Sequence, residues 1–130
     1  VRQLSFGMLD MAWHTITEPY TGDVLAFEGK ALQPTQVLPI VDGTAMGTAF
    51  THIFSGGYAA GYYGYKWAEV LAADAFSYFK QKGIFSQEVA GKFRHEVLEK
   101  GGHKHPMELY KNFRGHKPKT KALIDQMNLK

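Results

Sequence analysis

Residues 52–67 read HIFSGGYAAGYYGYKW, a composition that no regular element accommodates easily. The stretch holds four glycines, four of the chain's seven tyrosines and one of its two tryptophans, with His52 just ahead of the glycine pair. Each glycine inside a helix costs about 1 kcal/mol relative to alanine, so Gly56-Gly57 followed by Gly61 and Gly64 argues against a plain helix. A plain loop has no need of Tyr58, Tyr62 and Tyr65 at spacing i, i+4, i+7, which puts three phenols on one helical face. The expectation is a flexible glycine turn feeding a phenol-lined helix that runs from Tyr58 to about Lys82.

At 130 residues the chain is long enough for one domain with a single core, and its 45% apolar share is ordinary for a globular protein. It has no cysteine, which excludes disulfides, thiolate metal sites and a thiol nucleophile, and fits a reducing compartment. No apolar run reaches the roughly 18 residues of a membrane span, and no export signal is visible, so no membrane partner is expected. The net charge is +3, with most lysines from Lys80 onward. A basic half can signal nucleic acid. Here Lys92, Lys100, Lys111, Lys119 and Lys121 are spread over helix exteriors, and a solvated face without a nucleic-acid partner is the expectation. Val1 opens directly inside a helical pattern, which reads as the start of a C-terminal segment of a longer chain.

The remaining elements read as helices. Phe6, Leu9, Trp13 and Ile16 form an apolar stripe over residues 2–17, ending before Glu18-Pro19 because the residue preceding proline leaves the helical region. Asp23 is a candidate N-cap for a helix of about ten residues carrying Val24, Phe27 and Leu32. Residues 34–47 hold two prolines and two glycines and read as a connecting loop. A helical turn over 48–54 should bring Phe50 and Phe54 together. On the long helix, Ala60, Gly64, Ala68, Ala72 and Ala75 make a small-residue stripe suited to close helix approach. Gly83 ends it, Ser86 caps a helix through Lys100, and Pro106 opens another containing Met107, Leu109, Tyr110 and Phe113. Thr120 to Leu129 is a final amphipathic helix. The fold class is all-α.

Six histidines invite a metal reading. His95-Glu96-Val97-Leu98-Glu99 has the first half of H-E-x-x-H, but glutamate replaces the second imidazole that zinc chelation needs. His103, His105 and His116 are loop residues without a ligand set. No zinc site is complete in the chain. Glu69 and Asp74 lie five apart and share no helical face, and Asp10 reads as exposed or bonded to its neighbours. There is no G-x-S-x-G elbow, and G-G-Y-A-A-G-Y is not the dinucleotide fingerprint. The tyrosines stay open between two readings: amphipathic core residues, or neutral phenols that donate hydrogen bonds to a ligand beside a mobile glycine turn.

The order and length of FTHIFSGGYAAGYYGYKWAEVLAADAF, GIFSQEVAGKFR and KGGHKHPMELYKNFRGHKP resemble the thimet oligopeptidase family of zinc metallopeptidases. The likeness begins near LSFGMLDMAWHT and covers almost the whole chain. The spacing from His52 to Tyr58 is similar to the oligopeptidase A and peptidyl-dipeptidase (dipeptidyl carboxypeptidase) branch. The resemblance implies a two-lobed, mostly helical, cytoplasmic hydrolase whose channel admits short peptides. Its zinc would be held by H-E-x-x-H and a further glutamate, all upstream of residue 1, so residues 1–130 are expected to be the C-terminal part of the catalytic domain.

By position, His52 matches the family's substrate-binding histidine. Gly56, Gly57 and Gly61 match its flexible loop. Tyr58, Tyr62 and Tyr65 match its substrate-facing tyrosines, with Tyr65 the expected catalytic oxyanion donor. The implied partners are short peptides and the upstream part of the same polypeptide, and the isolated segment is expected to be inactive. A non-enzymatic peptide-binding helical module is the alternative. Endopeptidase action and release of C-terminal dipeptides are not separated by these residues.

Overall fold

The structure, a computed structural model, describes residues 1–128 and is helical throughout, with no strand among the described residues. The α-helices are α1 (Arg2–His14), α2 (Val24–Leu32), α3 (Thr51–Phe54), α4 (Gly64–Lys82), α5 (Gln87–Phe93), α6 (Pro106–Arg114) and α7 (Lys121–Gln126). They fall into two compact units, Val1–Lys66 and the chain from Trp67 onward. Apolar packing is accordingly divided between two clusters instead of the single core that chain length suggests.

In the first unit, α1 buries the predicted stripe: Leu9 is fully buried, with Phe6 and Trp13 packed on the same cluster. The helix stops at His14, short of the predicted end, and the Thr15 hydroxyl donates to the Met11 carbonyl at 2.8 Å. Ile16 is left outside the helix and exposed. Asp23 caps α2 as expected, its Oδ1 accepting the Leu25 and Ala26 amides at 2.8 and 3.3 Å. Phe27 then stacks on Trp13, with ring centroids 4.1 Å apart. The Trp13 indole N–H is buried without an acceptor among the described residues, so aromatic packing holds that ring in place.

Residues 36–46 form a loop, as predicted. Phe50 and Phe54 do not come together. Phe50 is buried against Phe6 and Tyr62, whereas Phe54 turns toward Trp13 and His14 and is about half exposed. The backbone explains the divergence, since Phe50 lies outside α3 at ψ 63° and the helical i, i+4 relation is lost.

The predicted helix from Tyr58 begins only at Gly64. Asp10 takes the Ala60 and Tyr62 amides at 2.9 and 2.8 Å, leaving tight turns in place of a helical ladder. Ala60 has φ +52°, a left-handed conformation that costs a non-glycine residue about 1–2 kcal/mol. The small-residue stripe is therefore broken at Ala60, and of its helical members Ala68 and Ala72 are exposed while Ala75 is buried.

In the second unit, Ala75, Val89, Tyr110 and Phe113 form the core, with Phe113 fully buried and Phe93 edge-on to it at 5.1 Å. Ser86 caps α5 through the Val89 amide. The helix predicted to reach Lys100 departs from α geometry at Arg94–Leu98, a π-helical turn closed by Glu99 N–H to the Arg94 carbonyl at 2.9 Å. Gly115 ends α6 in the left-handed conformation at φ +80°. α7 covers Lys121–Gln126, inside the predicted span, while Leu129 lies outside the described residues.

Candidate functional site

The loop between α3 and α4 is built from short-range backbone bonds. The Gly56 amide donates to the Thr51 carbonyl at 2.7 Å and the Tyr58 amide to the His52 carbonyl at 3.1 Å, folding the glycine pair back over α3. A Cβ on Gly56 would lie 2.9 Å from both Cα and O of His52, so this close backbone approach requires glycine. At Gly57 a Cβ would meet nothing within 4 Å, and at Gly61 only ordinary contacts. Beyond Gly56, Gly61 N–H donates to the Tyr58 carbonyl and Tyr65 N–H to the Tyr62 carbonyl, at 2.9 and 3.2 Å.

These turns bring the predicted side chains into one aromatic group, though not along the helical face that the spacing implies. Tyr58 precedes the helix, and its ring stacks on Tyr65 at 5.0 Å and 28°. Tyr62 meets Tyr65 at 5.1 Å, and His52 lies 5.8 Å from both Tyr58 and Tyr62. The four do not share one environment. Tyr58 and Tyr65 are about two-fifths exposed and His52 is exposed, whereas Tyr62 is buried edge-on to Phe6 and Phe50. Tyr62 thus belongs to the first unit's core and supports the exposed pair from behind.

The Tyr65 pKa is raised above the ordinary tyrosine value, first by a hydrogen bond with the Tyr58 side chain and then by partial desolvation and the neighbouring Tyr58 and Tyr62 phenols. Tyr65 is therefore a neutral hydrogen-bond donor throughout the neutral pH range.

The other sequence candidates are used structurally. His95 and Arg94 both bond Glu99, at 2.6 and 2.7 Å, on an exposed turn. That pairing, the His95 bond foremost, lowers the Glu99 pKa below the usual carboxylate range. His105 Nδ1 accepts the Met107 amide and caps α6, and His116 Nδ1 donates to the Lys117 carbonyl. Among the described residues no three His, Cys, Asp or Glu side chains converge to hold a metal ion, and no helix is long and apolar enough to cross a membrane.

Of the two expectations for Asp10, exposed or bonded to its neighbours, the second holds at His14 Nδ1, 2.8 Å from Oδ1, while the side chain is fully buried and also reaches the distant loop. Its signal is its register, since Phe6, Leu9, Asp10 and Trp13 fall at i, i+3, i+4, i+7, leaving a carboxylate in the middle of an apolar stripe. A buried carboxylate must find donors, and those here are the Ala60 and Tyr62 amides of the tyrosine loop and the His14 imidazole.

Fold and site together define an all-α chain that presents paired phenols and an imidazole around a loop held by a buried carboxylate. Residues 1–129 match the family described as Peptidase family M3, and the chain belongs to that family. It is 42% identical to oligopeptidase A of Escherichia coli over 131 aligned positions, covering 100% of this chain and 19% of that protein. The corresponding match to oligopeptidase A of Haemophilus influenzae is 44%, over 95% of this chain and 18% of that protein. Dipeptidyl carboxypeptidase of Escherichia coli is 37% identical over 97% of this chain and 19% of its own length. The chain thus spans about a fifth of the length of the curated relatives it matches.

Proposed function

We propose that this chain supplies one wall of the active site of a zinc metallopeptidase that hydrolyses short peptides, as an oligopeptidase or a peptidyl-dipeptidase. The observation that carries the reading is the convergence of His52 from α3, Tyr58 from the loop and Tyr65 from the start of α4 in one aromatic group, in a chain similar to oligopeptidase A and to dipeptidyl carboxypeptidase. Tyr65 is the catalytic donor. Its neutral O–H bonds the oxygen of the scissile carbonyl as that oxygen gains negative charge, an interaction stronger in the transition state than in the bound substrate. A tyrosine phenol keeps its proton at neutral pH, as this role requires. Tyr58, stacked on Tyr65, and His52 bind the peptide backbone, and Tyr62 sets the depth of the pair. Gly56, Gly57 and Gly61 form the loop that follows the substrate.

The residues described here do not fit a zinc site, so in this reading the metal is held by other residues of the parent protein. A cytoplasmic location is part of the same proposal.

Tyr65→Phe in the full-length protein should lower kcat about a hundredfold with little change in KM, the pattern of a contact made in the transition state. An unchanged kcat removes Tyr65 from the mechanism. The chain on its own, given zinc, should show no turnover of short peptides.

A further inference from the structure

Asp10 stands in the middle of α1 with its side chain fully buried. Its two carboxylate oxygens divide their work: Oδ1 accepts the Ala60 amide at 2.9 Å and Oδ2 the Tyr62 amide at 2.8 Å. These bonds join positions 50 and 52 residues apart, so they determine where the loop lies against α1. His14 Nδ1 is 2.8 Å from Asp10 Oδ1 and 2.9 Å from the Asp10 carbonyl oxygen. Both neighbours are acceptors, so Nδ1 carries a proton and donates to them. The held residues lie between Tyr58 and Tyr65. Ala60 keeps a left-handed backbone that alanine disfavours, and Tyr62 lies under the Tyr58–Tyr65 stack. Released from the carboxylate, Ala60 would relax to a negative φ and residues 58–63 could join α4. Tyr58 and Tyr65 would then share a helical face but stand about 10 Å apart along the axis, and the stacked geometry would be lost.

We infer that Asp10, with His14 as its hydrogen-bonding partner, is the positioning residue of the tyrosine loop, fixing the spacing of Tyr58 and Tyr65. Its consequence for catalysis rests on the peptidase reading above, whereas its hold on the loop does not.

Hydrogen exchange on the unsubstituted full-length protein tests that hold without any variant. The Ala60 amide, in an exposed loop residue, should exchange about a hundredfold or more slowly than in an unstructured chain. Exchange at the unstructured rate overturns the inference whether or not the protein is a peptidase. The functional arm is a double-substitution cycle in the same protein. Asp10→Asn keeps the shape and one acceptor, and should lower kcat about thirtyfold or more. In that background Tyr65→Phe should cost no more than about threefold, against about a hundredfold in the parent. If Tyr65→Phe costs the same factor in both backgrounds, Asp10 is a fold anchor and the positioning role is lost. If Tyr65→Phe is silent in the parent, the catalytic reading of Tyr65 fails and the exchange result alone decides for or against Asp10.

Discussion

Of the loop glycines, only Gly56 is sterically indispensable, because its missing Cβ lets the chain pass against the His52 backbone. Gly56→Ala should therefore destabilise the fold by about 1–3 kcal/mol, the range for forcing extra volume into a packed contact. Gly57→Ala meets open space and should stay within about 0.5 kcal/mol of the parent in urea denaturation. Equal effects at the two positions would show that the turn moves freely as a unit. The left-handed backbone in this loop falls on Ala60 and not on a glycine. Composition points to the glycines as the conformationally special residues, yet the special conformation is imposed on a neighbour by a carboxylate about fifty positions away. Local sequence does not carry that information.

Helix ends were legible where side chains cap them locally, and illegible where the partner is distant. Asp23, Ser86 and Pro106 all act within a few residues of themselves, and α2, α5 and α6 begin where those residues predict. The start of α4 and the π-helical turn at Arg94–Leu98 do not follow from local pattern. A second buried carboxylate binds α4 to α6. Asp74 Oδ2 accepts the Tyr110 O–H at 2.6 Å, with Arg114 Nη2 3.5 Å from Oδ1 and Arg114 Nε donating to the Asp74 carbonyl at 3.0 Å.

Burial, and then the bond to Asp74, raise the Tyr110 pKa well above the ordinary tyrosine value. A phenol that ionises less readily in the folded chain than in the unfolded one stabilises the fold fully below about pH 10. That contribution is lost as pH rises from there through the folded-state value. Tyr110→Phe should therefore cost about 1–3 kcal/mol near neutrality and flatten the loss of stability in alkali, both measurable by denaturation at a series of pH values. An alkaline profile identical to the parent's would mean that Tyr110 does not carry that dependence.

Each unit has its own fully buried anchor, Leu9 in the first and Phe113 in the second. Leu9→Ala should cost about 2–5 kcal/mol and Phe113→Ala about 3–5 kcal/mol, the range for large-to-small core truncations. A change under about 1 kcal/mol at either position, in chemical denaturation, would show that its cluster is not a packed core. Apolar periodicity, proline and glycine punctuation and cap residues were sufficient for the all-α class, for most helix positions and for the apolar faces of α1 and α6, because all of these act over one or two turns of chain. They were also sufficient to single out residues 52–67, since glycine and tyrosine are costly to combine in any plain element. The arrangement of that stretch was decided elsewhere. Tyr58, Tyr62 and Tyr65 meet through turns and not along a helix, because the buried Asp10 carboxylate needed donors and took the Ala60 amide and the Tyr62 amide, the second of which a helix from Tyr58 would have bonded to the Tyr58 carbonyl. Helical spacing is a local property, whereas satisfying a buried charge depends on which amides the folded chain brings within reach.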